Sequence, residues 1–251
     1  MGMKFSTLAG LWIAVICLAA WSVGRAEAAE SAEASDSLGE IVAIDVLLHP
    51  DATMLAAAAK ANAELRGDYA AGFALDELHT PHISMIQRFV RRDDLERIYG
   101  VLEKVFAAAP PTRLRLQAIG YYSLPVGELG LAGIVVEPTK ELRELQNRII
   151  SAVEPFAVKG TGAAFVPSAD GAAIAPSIVE YVNGYVPERS GKNFNPHVTV
   201  GLGSASFVKR LSAAPFPKFA FGVNGESVYH LGNYGTAAVE LWSPAGEGGA
   251  K

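Results

Sequence analysis

Pro81-His82-Ile83-Ser84 recurs 115 residues later as Pro196-His197-Val198-Thr199, and each copy is followed by an apolar residue, Met85 or Val200. Two of the chain's five histidines thus carry the same neighbours, which makes coincidence a poor explanation. Side chains alternate faces along a strand. On a strand, His82 and Ser84 therefore share one side, as do His197 and Thr199, while the apolar residues anchor each motif from behind. Two such strands brought together present two imidazoles and two hydroxyls to one cleft. Histidine titrates near neutral pH, so one ring can accept a proton while the other donates one. The hydroxyls can donate to phosphate oxygens as charge builds on them. The set suits metal-free phosphodiester chemistry.

On these residues the chain resembles the two-histidine (2H) phosphoesterase superfamily, also described as LigT-like or 2′-5′ RNA ligase-like proteins. That family carries a pair of His-x-Ser/Thr-hydrophobic motifs, matched here by His82-Ile83-Ser84-Met85 and His197-Val198-Thr199-Val200. The resemblance covers roughly residues 40–243. It implies two pseudo-symmetric lobes with the active-site cleft between them. It also implies His82 and His197 as the acid/base pair, with Ser84 and Thr199 on the phosphate. The implied activity opens 2′,3′-cyclic phosphates or cleaves 2′-5′ linkages, with no cofactor and no metal. Two other functions stay open: a nucleotide- or RNA-end-binding protein without turnover, and RNA ligation of the 2′-5′ type. Which histidine is the base is not readable from sequence.

Other candidates are single residues. Arg88, six residues past His82, shares the catalytic face if the strand runs straight, and could hold a phosphate. Before the second motif, Tyr181, Tyr185, Arg189, Lys192 and Phe194 interleave aromatics with cations. Such a stretch can stack a base and meet a phosphate, so Tyr181, Tyr185, Lys192 and Phe194 are taken as substrate-binding candidates. His79 and His82 form a His-x-x-His pair, but Pro81 breaks helical spacing and no nearby Cys or carboxylate completes a metal set. His49 and His230 read as ordinary strand-end or surface histidines. Ser190-Gly191-Lys192 lacks the upstream glycine of a P-loop.

The positioning elements follow from periodicity. Residues 41–48 predict a strand ended by Pro50, and Asp51 predicts a helix cap ahead of residues up to about 65. The first motif strand lies within residues 73–89. Leu95, Ile98, Leu102, Val105 and Phe106 mark a helix, as do Leu142, Leu145, Ile149, Ile150 and Val153. Between them residues 114–122 and 129–137 predict two strands. Residues 158–175, rich in Gly, Ala and Ser, predict a loop. A short helix near 206–213 follows the second motif, and residues 227–231 and 237–242 predict a closing hairpin. Strands and helices mix without regular βαβ alternation. The fold class is therefore α+β, two lobes of antiparallel sheet with packed helices.

The 251 residues are half apolar and 19% charged, enough for a core and against widespread disorder. Lys4 precedes an apolar run from Leu8 to Trp21, and Ala26-Glu27-Ala28 has the form of a cleavage site, so residues 1–28 read as a signal peptide. Residues 29–39 read as a linker and 244–251 as a tail. The single cysteine, Cys17, lies within the signal, which leaves a mature chain without disulfide or thiol chemistry. That points to the bacterial periplasm or the medium, with no stable membrane span in the mature protein. Residues 1–28 hold two positive charges and one negative, so their removal takes the net charge from −5 to −6. An acidic protein lacks the broad positive field that grasps long double-stranded nucleic acid. A small phosphodiester, a cyclic nucleotide or a short RNA end is the expected partner, bound by a monomer.

Overall fold

A computed structural model describes residues 39–168 and 171–244. The signal assigned to residues 1–28, all but the last residue of the linker assigned to 29–39, and nearly all of the tail lie outside them. The strands are β1 (Ile41–Pro50), β2 (Ile83–Arg91), β3 (Arg115–Val126), β4 (Leu129–Val136), β5 (Ala157–Val158), β6 (His197–Ser204), β7 (Phe219–Leu231) and β8 (Ala237–Trp242). The helices are α1 (Ala52–Asp68), α2 (Leu95–Ala108), α3 (Lys140–Val153), α4 (Pro176–Asn183), α5 (Tyr185–Arg189) and α6 (Ala205–Ala213). The fold is α+β, and every strand pairing is antiparallel.

The strands follow the order β5-β2-β1-β7-β3-β4-β6, with β8 also on β7. β7 joins two groups. Its first residues, Phe219–Gly222, pair with β3, and the stretch from Val223 to His230 pairs with β1. Only residues 227–231 of this strand were legible as such, because Gly222, Asn224 and Gly225 interrupt the apolar alternation. Although β2 and β6 stand far apart in the strand order, they come into contact, so the sheet coils round to bring the two motif strands together.

Helices cross between the halves. α1 follows β1 in sequence but packs on β6, and α3 follows β4 but packs on α2 and β2. Asp51 starts α1 as its side chain accepts from the Thr53 and Met54 amides, a cap of about 1 kcal/mol. The same carboxylate accepts from the Gly222 amide at 2.6 Å, tying α1 to β7. From the apolar stripes of α2 and α3, Ile98, Leu102, Leu142 and Ile149 are fully buried in one core with Val46, Ile86 and Val90, and Val105 and Ile150 pack against it partly buried. A second cluster, around Phe89, Phe165 and Leu231, is packed by Val158, Ile174 and the α4 residues Ile178, Val179 and Tyr181.

Candidate functional site

Both motif strands break their ladders at the same motif position. Between β1 and β2 the register runs Val46 to Ile86 and then Leu47 to Ser84, so Met85 is an extra, bulged residue. Between β4 and β6 it runs Ala132 to Gly201 and then Gly133 to Thr199, so Val200 is bulged. Bulges re-aim side chains next to functional sites. Each also frees a carbonyl that needs a donor, because an unpaired buried carbonyl is costly. A helix from the other half supplies it in both cases. The buried Gln146 amide of α3 donates to Met85 O at 3.1 Å, and the Asn62 amide of α1 donates to Val200 O at 2.8 Å. Gly201 adopts φ 150°, where a Cβ would meet Asn62 Nδ2 at 2.9 Å.

The imidazoles are anchored alike. His82 Nδ1 donates to Thr80 O at 2.7 Å and His197 Nδ1 donates to Asn195 O at 2.8 Å. Each acceptor precedes a proline, which holds it in extended backbone. With Nδ1–H committed, Nε2 is the nitrogen that can exchange a proton in either ring. The rings are close enough for charge on His82 to act on His197. Burial pushes the His197 imidazole below its ordinary range, the Asn195 carbonyl opposes this, and charges on His82 and Arg189 add to it.

Around these equivalent rings the surroundings differ. In the first motif, the Ser84 hydroxyl donates to Asp45 Oδ2 at 2.5 Å, and Gln87 Nε2 donates to the same oxygen at 2.9 Å. His82 Nε2 lies 3.8 Å from that oxygen. Asp45 is 0% exposed and its Oδ1 has no hydrogen-bond partner. Burial raises its pKa to about 6 against the lowering effects of His82, Ser84 and Gln87. The Ser84 hydrogen is thus turned toward Asp45 in this structure, away from the role of phosphate donor. In the second motif, Thr199 Oγ1 meets a neutral partner, the Tyr122 hydroxyl, at 3.4 Å. The Tyr122 ring stands edge-on to His197, centroids 4.7 Å apart, and burial pushes its hydroxyl up to about 12. The close approach of Tyr122 requires Gly133, since a Cβ there would lie 2.2 Å from the ring's Cε1.

The single-residue candidates fare unevenly. Arg88 does not share the face of His82. The bulge at Met85 reverses the alternation, so Gln87 joins Ser84 while Arg88 turns to the helix-packed face and pairs with Glu154 at 2.6 Å. Tyr185 and Phe194 are each 4% exposed and belong to the core, which corrects their assignment to a substrate loop. The Tyr185 hydroxyl instead donates to Ser84 O at 3.2 Å, bracing the first motif from behind. Tyr181 is half-buried with the Arg189 guanidinium 3.9 Å above its ring. Lys192 is exposed in a turn at Gly191–Asn193. His79 turns to Asp76 and stacks on Phe73. His49 is more than a bland strand end, because it bonds Ser227 Oγ at 2.8 Å and feels charge on His82. Sequence reasoning missed Asp45, Asn62 and Gln146 and left Tyr122 aside. Only Asp45 left a signal, an acid inside the otherwise apolar run Ile41–Leu48.

A coiled antiparallel sheet with two His-x-Ser/Thr strands facing one another defines a two-histidine protein. The chain belongs to the 2′-5′ RNA ligase superfamily, whose family model matches residues 55–221 and so spans both motifs. Solved structures similar to it include TT0787 of Thermus thermophilus, at 16% identity and a TM-score of 0.48, covering 80% of this chain and 96% of that one. LigT of E. coli, in apo form, has 12% identity and a TM-score of 0.41, covering 82% and 98%. Usb1 of Kluyveromyces marxianus has 12% identity and a TM-score of 0.37, covering 81% and 98%. No curated protein sequence matches the chain.

Proposed function

We propose that this protein is an exported, monomeric phosphodiesterase that opens 2′,3′-cyclic phosphates or cleaves 2′-5′ linkages of nucleotides or RNA ends. The observation that carries this reading is the matched pair of imidazoles, each held through Nδ1 with Nε2 left for proton exchange. One Nε2 takes a proton from water as the water oxygen attacks phosphorus. The other gives a proton to the ribose oxygen as its bond to phosphorus breaks. Each such transfer contributes about 10²–10⁴ in rate. Thr199 and Tyr122 supply neutral donors for the non-bridging oxygens, and Arg189, stacked on Tyr181, is near enough for its charge to act on His197, so a nucleotide there would meet charge and an aromatic face.

Hydrolysis is favoured over ligation because an exported chain meets little activated RNA to join. Export itself rests on residues 1–28 of the sequence. The test is a screen of 2′,3′-cyclic mononucleotides and a 2′-5′ dinucleotide, with chelator present, on the purified chain. Turnover in chelator supports the reading. Binding without turnover would make the protein a nucleotide-binding module, and activity abolished by chelator would overturn the metal-free mechanism.

A further inference from the structure

The two halves of the site match in strand, bulge, amide brace and imidazole anchor, yet differ in charge. Behind the first motif sits the carboxylate of Asp45, and behind the second the neutral hydroxyl of Tyr122. Arg189 adds a positive charge that acts on His197. We propose that Asp45 is a positioning residue that sets the direction of proton flow, holding His82 as the donor and leaving His197 to take the proton from water. This rests on the phosphodiesterase reading above.

Asp45 Oδ2 is 3.8 Å from His82 Nε2, and the carboxylate itself is sealed from solvent while the imidazole keeps one partly exposed edge. With one partner fully buried, the pair interacts more strongly than it would in water. An anion at that distance favours the imidazolium over the imidazole. The groups facing Asp45 are consistent with this. Ser84 and Gln87 approach from β2 and His82 from the residue just before that strand, Tyr229 is the cross-strand partner of Asp45 on β7, and Tyr181 and Tyr185 interact with it from α4 and α5. Among these described neighbours His82 is the one that can carry a positive charge. His49 lies near enough to His82 to feel it, but burial pushes the His49 imidazole down toward the neutral form. His197 is likewise held toward its neutral form, ready to accept.

In the resulting step a water proton passes to His197 Nε2, the water oxygen bonds to phosphorus, the phosphorus–ribose oxygen bond breaks, and that oxygen takes the His82 Nε2 proton. His197 then loses its proton to solvent and His82 regains one, which restores the start. Asp45 touches no reacting atom.

The test compares two leaving groups. A 2′,3′-cyclic nucleotide expels a ribose alkoxide, which needs a proton, whereas the p-nitrophenyl ester of a nucleoside 3′-phosphate expels nitrophenolate, which does not. His82→Ala should lose on the order of 100-fold in kcat on the cyclic substrate but only a few-fold on the ester, whereas His197→Ala should lose on both. Asp45→Asn should lower kcat about 10-fold on the cyclic substrate with KM little changed, and move the high-pH limb of its profile to lower pH. On the ester it should approach wild type. Rescue of His197→Ala by the ester, or an Asp45→Asn profile whose high-pH limb stays in place, overturns the assignment while leaving the enzyme intact. A wild type with no turnover on either substrate sinks the phosphodiesterase reading and this assignment with it. If Asp45→Asn does not fold, Asp45→Ser is measured in the same way, and a cyclic-substrate rate that stays at the wild-type value overturns the assignment.

Discussion

Asp45 is the residue where stability and chemistry pull apart. Its folded pKa, about 6, lies above the 3.8 of an exposed carboxyl because burial disfavours the charged form. A folded state that holds its proton more tightly than the unfolded chain is penalised at high pH and relieved as pH falls. The penalty is therefore full above about pH 6 and gone below about 4, and its size is on the order of 2–3 kcal/mol. Asp45→Asn removes the charge, and Gln87 Oε1, which has no partner, is available to accept from the new amide. The variant should thus unfold at higher denaturant than wild type at pH 8, with the gap closing toward pH 4.5. A gap that widens on acidification would show that the carboxylate stabilises the fold.

His197 gives a second residue-scale outcome, with the opposite sign. Its imidazole is held below the ordinary range, first by burial, so it stays neutral to lower pH than an exposed histidine. The low-pH limb of the turnover profile should accordingly fall below pH 6.5, the ordinary histidine value. A limb above that value would mean the ring is stabilised as a cation. Both histidines and both hydroxyl residues were legible from the repeated tetrapeptide. The differing backgrounds were not, since Asp45 lies 37 residues before His82 and Tyr122 lies 75 before His197, and nothing in sequence pairs them.

At the scale of elements, the bulges and their braces carry the account. A one-residue bulge has no pattern of its own in the residues Ile83–Arg91 or His197–Ser204, and Arg88 shows the consequence, since a straight strand would have put it in the cleft. The helix stripes were readable because burial follows the 3.6-residue period. Their destinations were not, because an apolar stripe does not say which strand it covers, and α1 and α3 each cover the motif strand of the other half. Aromatic spacing was equally silent on direction, so Tyr185 and Phe194 looked like substrate contacts although both are core. Replacing a brace tests the arrangement. Asn62→Leu and Gln146→Leu each leave a bulged carbonyl without its donor and should cost about 1–3 kcal/mol in chemical unfolding. Both should also lower kcat, since the freed bulge no longer aims its histidine. Unchanged stability in either variant would mean that the bulge finds another donor.

For the whole molecule, the coiled sheet serves to bring β2 and β6 together. β7 is the element that makes this possible, by pairing with β3 at one end and β1 at the other. The α+β class and antiparallel pairing followed from the mixed order of strand and helix patterns, while the continuity of the sheet through β7 was hidden by its glycines. Among the described residues no helix is long and apolar enough to cross a membrane. The proposed chemistry has two imidazoles acting on one ester. Its most direct measurement is the rate of 2′,3′-cyclic mononucleotide hydrolysis, in chelator, for wild type, His82→Ala, His197→Ala and the double variant. Wild type should show a bell-shaped pH profile, each single variant should lose about 100-fold or more, and the double variant should lose little further, since groups acting as a unit are not additive. A single variant that keeps the wild-type rate would contradict that chemistry.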